Sequence, residues 1–298
     1  MAKGMKAIKD RMSSIKSTKK VTSAMQLVSM AKLQKYQRQI IPIKSYKNLV
    51  EQHMQHILNA AKNKQTDIDV AYFRQPKTIE KIAYIVFTSD VGLCGGYNVN
   101  VLRALREEVR NNPEVEHLFY FIGKNGAEKS GFYNLTTTFA LTGRNETLTY
   151  EELTDEIVMP LMDMYAREEI DAIKIMYTDY KNPLVQTPVL TQMLPAQFEN
   201  TDTTKASGEP VITADTLFEP SPNSVLTYLA PKMISTMAYI YLLESLTSES
   251  ASRRMAMESA NTNADQMLDN LSILYNRERQ AAITQEMSEI IGGSESLN

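Results

Sequence analysis

The chain has 298 residues, a net charge of −3, one cysteine (Cys94) and no tryptophan. That length holds one large or two modest domains, and the slight acidity argues against nucleic-acid binding by bulk charge. A single cysteine excludes an internal disulfide framework and a multi-cysteine zinc site.

The first twenty residues are basic and carry no apolar core of a signal peptide. Met233 to Leu246, the longest apolar-leaning stretch, is broken by Ser235, Thr236 and Glu244, and is too short and polar to span a bilayer. His53, His56 and His117 are too scattered for a convincing metal centre. His53 and His56, three apart on an expected helix, leave a metal pair open beside the plainer reading as polar helix surface.

Glycine and proline divide the chain. Of 22 such residues, 18 fall between Pro76 and Pro231; residues 5–75 hold only Pro42, and residues 232–291 hold none. Two breaker-free arms around a breaker-rich centre predict two long helices flanking an α/β domain. Sixty helical residues extend roughly 90 Å, too long for an ordinary globular helix, so each arm needs a partner along its length.

In the N-terminal arm, Met5, Ile8, Met12 and Ile15, then Val21, Met25 and Val28, recur at steps that predict one apolar face. Ala260, Ala264, Met267, Leu271 and Leu274 do the same in the C-terminal arm. Core helices of a bundle fit this pattern, as does an antiparallel coiled coil whose two strands come from opposite ends of the chain. Charge supports the pairing. Residues 1–38 carry ten Lys/Arg against Asp10, whereas residues 244–290 carry eight acids and four arginines. A basic helix also suits nucleic acid, an acidic membrane surface or an acidic protein partner.

In the centre, Ile79–Thr88, His117–Ile122 and Ala172–Tyr177 read as strands, with helices over Val99–Asn111 and Thr149–Ala166. The second helix opens with a capping box, Thr149 and Glu152. The alternation predicts a mainly parallel sheet. Pro188–Pro195 reads as an antiparallel edge strand, and residues 199–216 as an exposed hairpin or linker.

The segment TSDVGLCGGYN (88–98) follows a strand and precedes a helix, as a phosphate-binding loop does. Its glycines, Gly92, Gly95 and Gly96, match neither G-x-x-x-x-G-K-[ST] nor G-x-G-x-x-G. No local base activates Cys94, and Ser89 is not in a G-x-S-x-G elbow. A tight strand-to-helix turn is the favoured reading, with phosphate binding the alternative.

The whole chain resembles the gamma subunits of F-type ATP synthases. The resemblance rests on IKDRMSSIKSTKKVTSAMQLVSMAKLQK (8–35), on TSDVGLCGGYN, and on LSILYNRERQAAITQEMSEIIGG (271–293); FEPSPNSVLTYLAPK (218–232) adds to it. Val91 stands where the family usually has arginine, and SRRMAMESANTNAD (252–265) departs from R-M-x-A-M-x-x-A-T-D-N-A. The resemblance implies a long helical hairpin, N- and C-terminal helices in an antiparallel coiled coil, flanking a Rossmann-like α/β domain. The implied division is 1–75, 76–217 and 218–298.

It implies the central rotor shaft of F1Fo ATP synthase, with no catalytic, cofactor-binding or metal residues of its own. The partners implied are the alpha and beta subunits, epsilon and the c ring, with one copy per complex and contact with the membrane only through Fo, at the cytoplasmic face. Arg279 and Gln280 match the family's R-Q, which hydrogen-bonds a beta-subunit loop; Thr284 and Gln285 follow one turn later. Met25, Lys19, Lys20 and Lys32 are expected to face the acidic lever of beta, and Phe218 and Glu219 to lie near the c ring. A rotor paralogue in another rotary ATPase, or a Rossmann-like nucleotide-binding enzyme, are the alternatives.

Overall fold

The computed structural model describes residues 2–63, 70–196, 219 and 221–295. The expected linker at 199–216 lies outside them. The chain forms two compact units: Met1–Ala31 with Arg253–Asn298, and Lys32–Ser252. Helices α1 (Ala2–Asn63) and α6 (Pro222–Glu295) contribute to both. The breaker-poor arms form long helices as predicted, but α1 ends at Asn63, short of residue 75, and Ala71–Phe73 is a 3-10 turn; α6 begins earlier than the proline-free stretch, carrying Pro231 inside it.

In the larger unit the elements run β1 (Lys81–Phe87), α2 (Tyr97–Asn111), β2 (Glu116–Ile122), α3 (Lys124–Lys129), β3 (Thr137–Leu141), α4 (Tyr150–Leu153), α5 (Met159–Ala166), β4 (Ala172–Asn182) and β5 (Val185–Leu194). The sheet order is β3-β2-β1-β4-β5. The first four strands are parallel and β5 is antiparallel to β4. This is the doubly wound strand order, with its topological switch point at the C-terminal end of β1.

Side chains of β1 alternate between two cores. Ile82, Tyr84 and Val86 pack with Val101, Leu102 and Leu105 of α2. Ala83, Ile85 and Phe87 pack with Leu161 and Tyr165 of α5 and with Ile234, Leu242 and Leu246 of α6. A strand buried on both faces reads as a continuous apolar run, which is why β1 was legible. A third core joins Val50, Met54 and Ile57 of α1 to Leu226, Ala230 and Met233 of α6.

The capping box forms as expected. The Thr149 side chain accepts from Glu152 N–H, and the Glu152 carboxylate accepts from Thr149 N–H. That backbone donor holds the Glu152 carboxyl below its usual range. The helix over 149–166 is interrupted by a π-helical turn at Thr154–Val158. Strand β3 was not anticipated; three of its five residues are exposed, so it lacks an apolar run.

The close approach of β1 to α3 sets a strict glycine requirement. At Gly123, with φ +110°, a Cβ would stand 2.1 Å from the Thr88 carbonyl oxygen. At Gly92 a Cβ meets nothing within 4 Å. Gly123→Ala is expected to destabilise the unit by about 3 kcal/mol, and Gly92→Ala by under about 0.5 kcal/mol, as read by urea denaturation.

Candidate functional site

Two places carry the sequence expectations: the glycine loop at the end of β1 and the paired terminal helices.

The glycine loop sits where a dinucleotide would bind in this strand order, but its polar groups are turned inward. The Ser89 N–H donates to Asn98 Oδ1 at 2.9 Å, and Asn98 Nδ2 donates to Ser89 Oγ at 2.7 Å and to Cys94 Sγ at 3.3 Å. The Asp90 carboxylate accepts from the backbone N–H groups of Lys124, Gly143 and Asn145, at 2.9, 2.8 and 2.9 Å. Those donors follow β2 and β3, where such folds present N–H groups to phosphate. Here a carboxylate of the chain itself takes them. Gly95 has φ +58°, the backbone sign that favours glycine, and Leu93 shares it at +62°. Val91 and Leu93 are exposed on this turn.

In the smaller unit the terminal helices run antiparallel, since low numbers of α1 meet high numbers of α6. Lys19 forms an ion pair with Asp265, and Thr22 Oγ1 hydrogen-bonds Asn261 Oδ1. Asn261 Nδ2 donates to Gln26 Oε1 at 2.8 Å. The less exposed positions of α1 step by three and four through Met5, Ile8, Met12, Ile15, Lys19, Thr22, Gln26 and Ser29. Those of α6 do so through Met257, Asn261, Ala264, Leu268, Leu271 and Tyr275. This is the heptad rhythm of a coiled coil.

The apolar stripes expected from sequence are corrected in their middle portions. Val21 is 59% exposed, Val28 54% and Met267 53%; Leu274 is exposed as well. Polar Lys19, Thr22 and Gln26 take the inner positions instead. Asn261 is polar and so falls outside any apolar pattern; its signal in the sequence is its place in the uninterrupted steps of three and four.

Arg279, Gln280 and Thr284 are exposed on α6, and the Thr284 hydroxyl donates to the Gln280 carbonyl at 2.9 Å. Gln285 is exposed on the next turn. Met25 is half-buried and Lys20 exposed. Lys32 belongs to the larger unit, where it pairs with Glu146. Glu219 is exposed; Phe218 lies outside the described residues. Among the described residues no group of three or more His, Cys, Asp or Glu could hold a metal ion, and no helix is long and apolar enough to cross a membrane.

A family model described as ATP synthase matches residues 4–297. The ATP synthase gamma chain of Alkaliphilus metalliredigens is 36% identical over 304 residues, covering 100% of both chains. That of Heliobacterium modesticaldum is 34% identical, covering 99% of each. Among solved structures, a chain of the Tetrahymena thermophila mitochondrial ATP synthase central stalk and c ring shares the fold, with a TM-score of 0.58 at 20% identity, over 80% of this chain and 99% of that one.

The polar seam is expected to outweigh the exposed ion pair. Asn261→Ala removes a half-buried partner of two side chains and should cost about 1–2 kcal/mol in thermal unfolding of the helix pair. Asp265→Asn should cost under about 1 kcal/mol, vanishing at high salt.

Proposed function

The chain belongs to the ATP synthase gamma-chain family, and on that premise we propose that it works as the central rotor shaft of F1Fo ATP synthase. In this reading it has no catalytic site. It couples ion-driven rotation of the c ring to the cycling of catalytic beta subunits.

The observation that carries the reading is the apolar exterior of the helix pair around a seam that is polar at its middle. Thr22, Gln26 and Asn261 are joined inside it, while Val21, Leu27, Val28, Met267, Ile273, Ile283, Met287 and Ile290 face outward. Apolar side chains repeated along an exposed surface call for a covering partner. The sleeve formed by the alpha and beta subunits is the proposed cover. Flexible aliphatic and thioether side chains suit a surface that slides, because dispersion contacts carry no fixed direction.

Polar groups at the exposed tip suit contacts made and released in each turn. Arg279 and Gln280 are the proposed coupling contacts, with Thr284 and Gln285 secondary. Lys20 is the exposed cation proposed to meet the acidic lever of beta, beside Met25. Lys19 and Lys32 already hold Asp265 and Glu146, so they would contribute field more than direct pairing. Glu219, with Phe218, is proposed to lie toward the c ring, and epsilon to bind the same rotor. One copy per complex, peripheral at the cytoplasmic face, completes the assignment. The closure of the glycine loop by Asp90 weighs against a nucleotide-binding enzyme.

Arg279→Ala/Gln280→Ala in a reconstituted complex should lower ATP synthesis and hydrolysis by about tenfold, the loss of one charge-assisted contact in the rate-limiting state, with assembly unchanged. Unchanged rates would remove both residues from the coupling contacts.

A further inference from the structure

Within the larger unit, α6 presents Tyr241, Ser245, Ser248 and Ser252 at steps of four, three and four. Residues so spaced share one face of a helix. A helix packing on a sheet usually places large apolar side chains there. Here three of the four are serines, and Ser245 and Ser248 are buried.

They meet the backbone of β4. The Thr178 N–H donates to Ser245 Oγ at 3.1 Å, and Ser248 Oγ donates to the Thr178 carbonyl at 2.9 Å. Thr178 lies two residues beyond Val86–Met176, the last pair between β1 and β4. Its counterpart on β5 is Pro188, which has no N–H to offer. Past the end of β1, the polar groups of a buried strand need other partners. The two serines supply both, so α6 continues the sheet's hydrogen bonding where β1 stops.

Flanking contacts fix the same stretch. The Tyr241 ring stacks on Tyr177 of β4, with centroids 4.3 Å apart. Burial pushes both phenols up, that of Tyr241 to about 12, so both stay neutral at ordinary pH. Ser252 Oγ donates to Gln186 Oε1 of β5 at 3.2 Å. Buried Glu244 forms an ion pair with Lys44, which ties α1 to this segment of α6.

We infer that Ser245 and Ser248, clamped on the Thr178 backbone, form the joint that carries torque between helix α6 and the sheet. Apolar packing is non-directional and yields to sliding or rotation about the helix axis. A donor and an acceptor on successive turns, both held by the backbone of one residue, oppose both motions, because hydrogen bonds weaken steeply off axis. The two serines are positioning residues, and the inference rests on the rotor reading above.

The test uses the complete reconstituted complex with Ser245→Ala/Ser248→Ala, and with Ser248→Thr as the hydroxyl-retaining control. Amide exchange at Thr178 should accelerate about tenfold as its buried partner is lost. ATP hydrolysis without an opposing ion gradient should be unchanged, while ion pumping per ATP against a gradient is lost. Ser248→Thr should pump like wild type. Full pumping by the double variant would overturn the inference, as would unaltered exchange at Thr178. Should the double variant fail to assemble, Ser245→Ala decides: reduced pumping supports the joint and wild-type pumping overturns it. A wild-type complex that hydrolyses ATP without pumping would instead remove the rotor reading itself.

Discussion

Everything in this molecule depends on one pairing, that of the two ends of the chain. A helix as long as α1 or α6 cannot bury a face against itself, and isolated helices gain little from propensity alone. In the smaller unit the two helices solve this for each other, running antiparallel with Lys19, Thr22 and Gln26 set against Asp265 and Asn261. The seam is polar at its middle, which fixes direction and register, and apolar at either end, through Met5, Ile8, Met12 and Ile15 of α1 and Met257, Leu268 and Leu271 of α6. Apolar side chains then remain for the outside, where a shaft needs a surface that can slide.

The sheet of the larger unit serves mechanics by the same economy. Its doubly wound order would offer a crevice at the end of β1 for a phosphate. Asp90 occupies the backbone donors around that crevice, and Asn98 closes the turn from within. Gly123 and Gly126 pack too tightly against Thr88 for a Cβ. What is a ligand site in enzymes of this topology is here a rigid corner. Past the end of β1, the serines of α6 bind the β4 backbone at Thr178.

The sequence makes some of this plain and hides the rest for identifiable reasons. The distribution of Gly and Pro exposed the two arms, because a long helix tolerates few breakers. Buried strands β1 and β4 and the edge strand β5 were legible as apolar or alternating runs, and Thr149 and Glu152 announced their helix. Strand β3 was not legible: an edge strand facing solvent lacks such a run. Val21, Val28 and Met267 break the rule that apolar residues fill the inner seam, because in the structure they point out. Of the residues matched to the family's coupling motif, Arg279, Gln280 and Thr284 lie together and exposed near the end of α6. Lys19 and Lys32, which look alike in sequence, turn out to hold internal partners. The Asp90 cradle draws its donors from residues 124, 143 and 145, a juxtaposition that only the fold creates.

The central claim is that the helix pair turns as one body. Thr22→Cys/Asn261→Cys, bridged across the seam with a short thiol cross-linker in the assembled complex, tests it directly, since Cys94 is buried. A shaft that turns as one body predicts that ATP-driven rotation and hydrolysis persist with the bridge closed. Loss of rotation on closing the bridge, restored when it is cleaved, would mean that the helices must move against each other, and would contradict the claim.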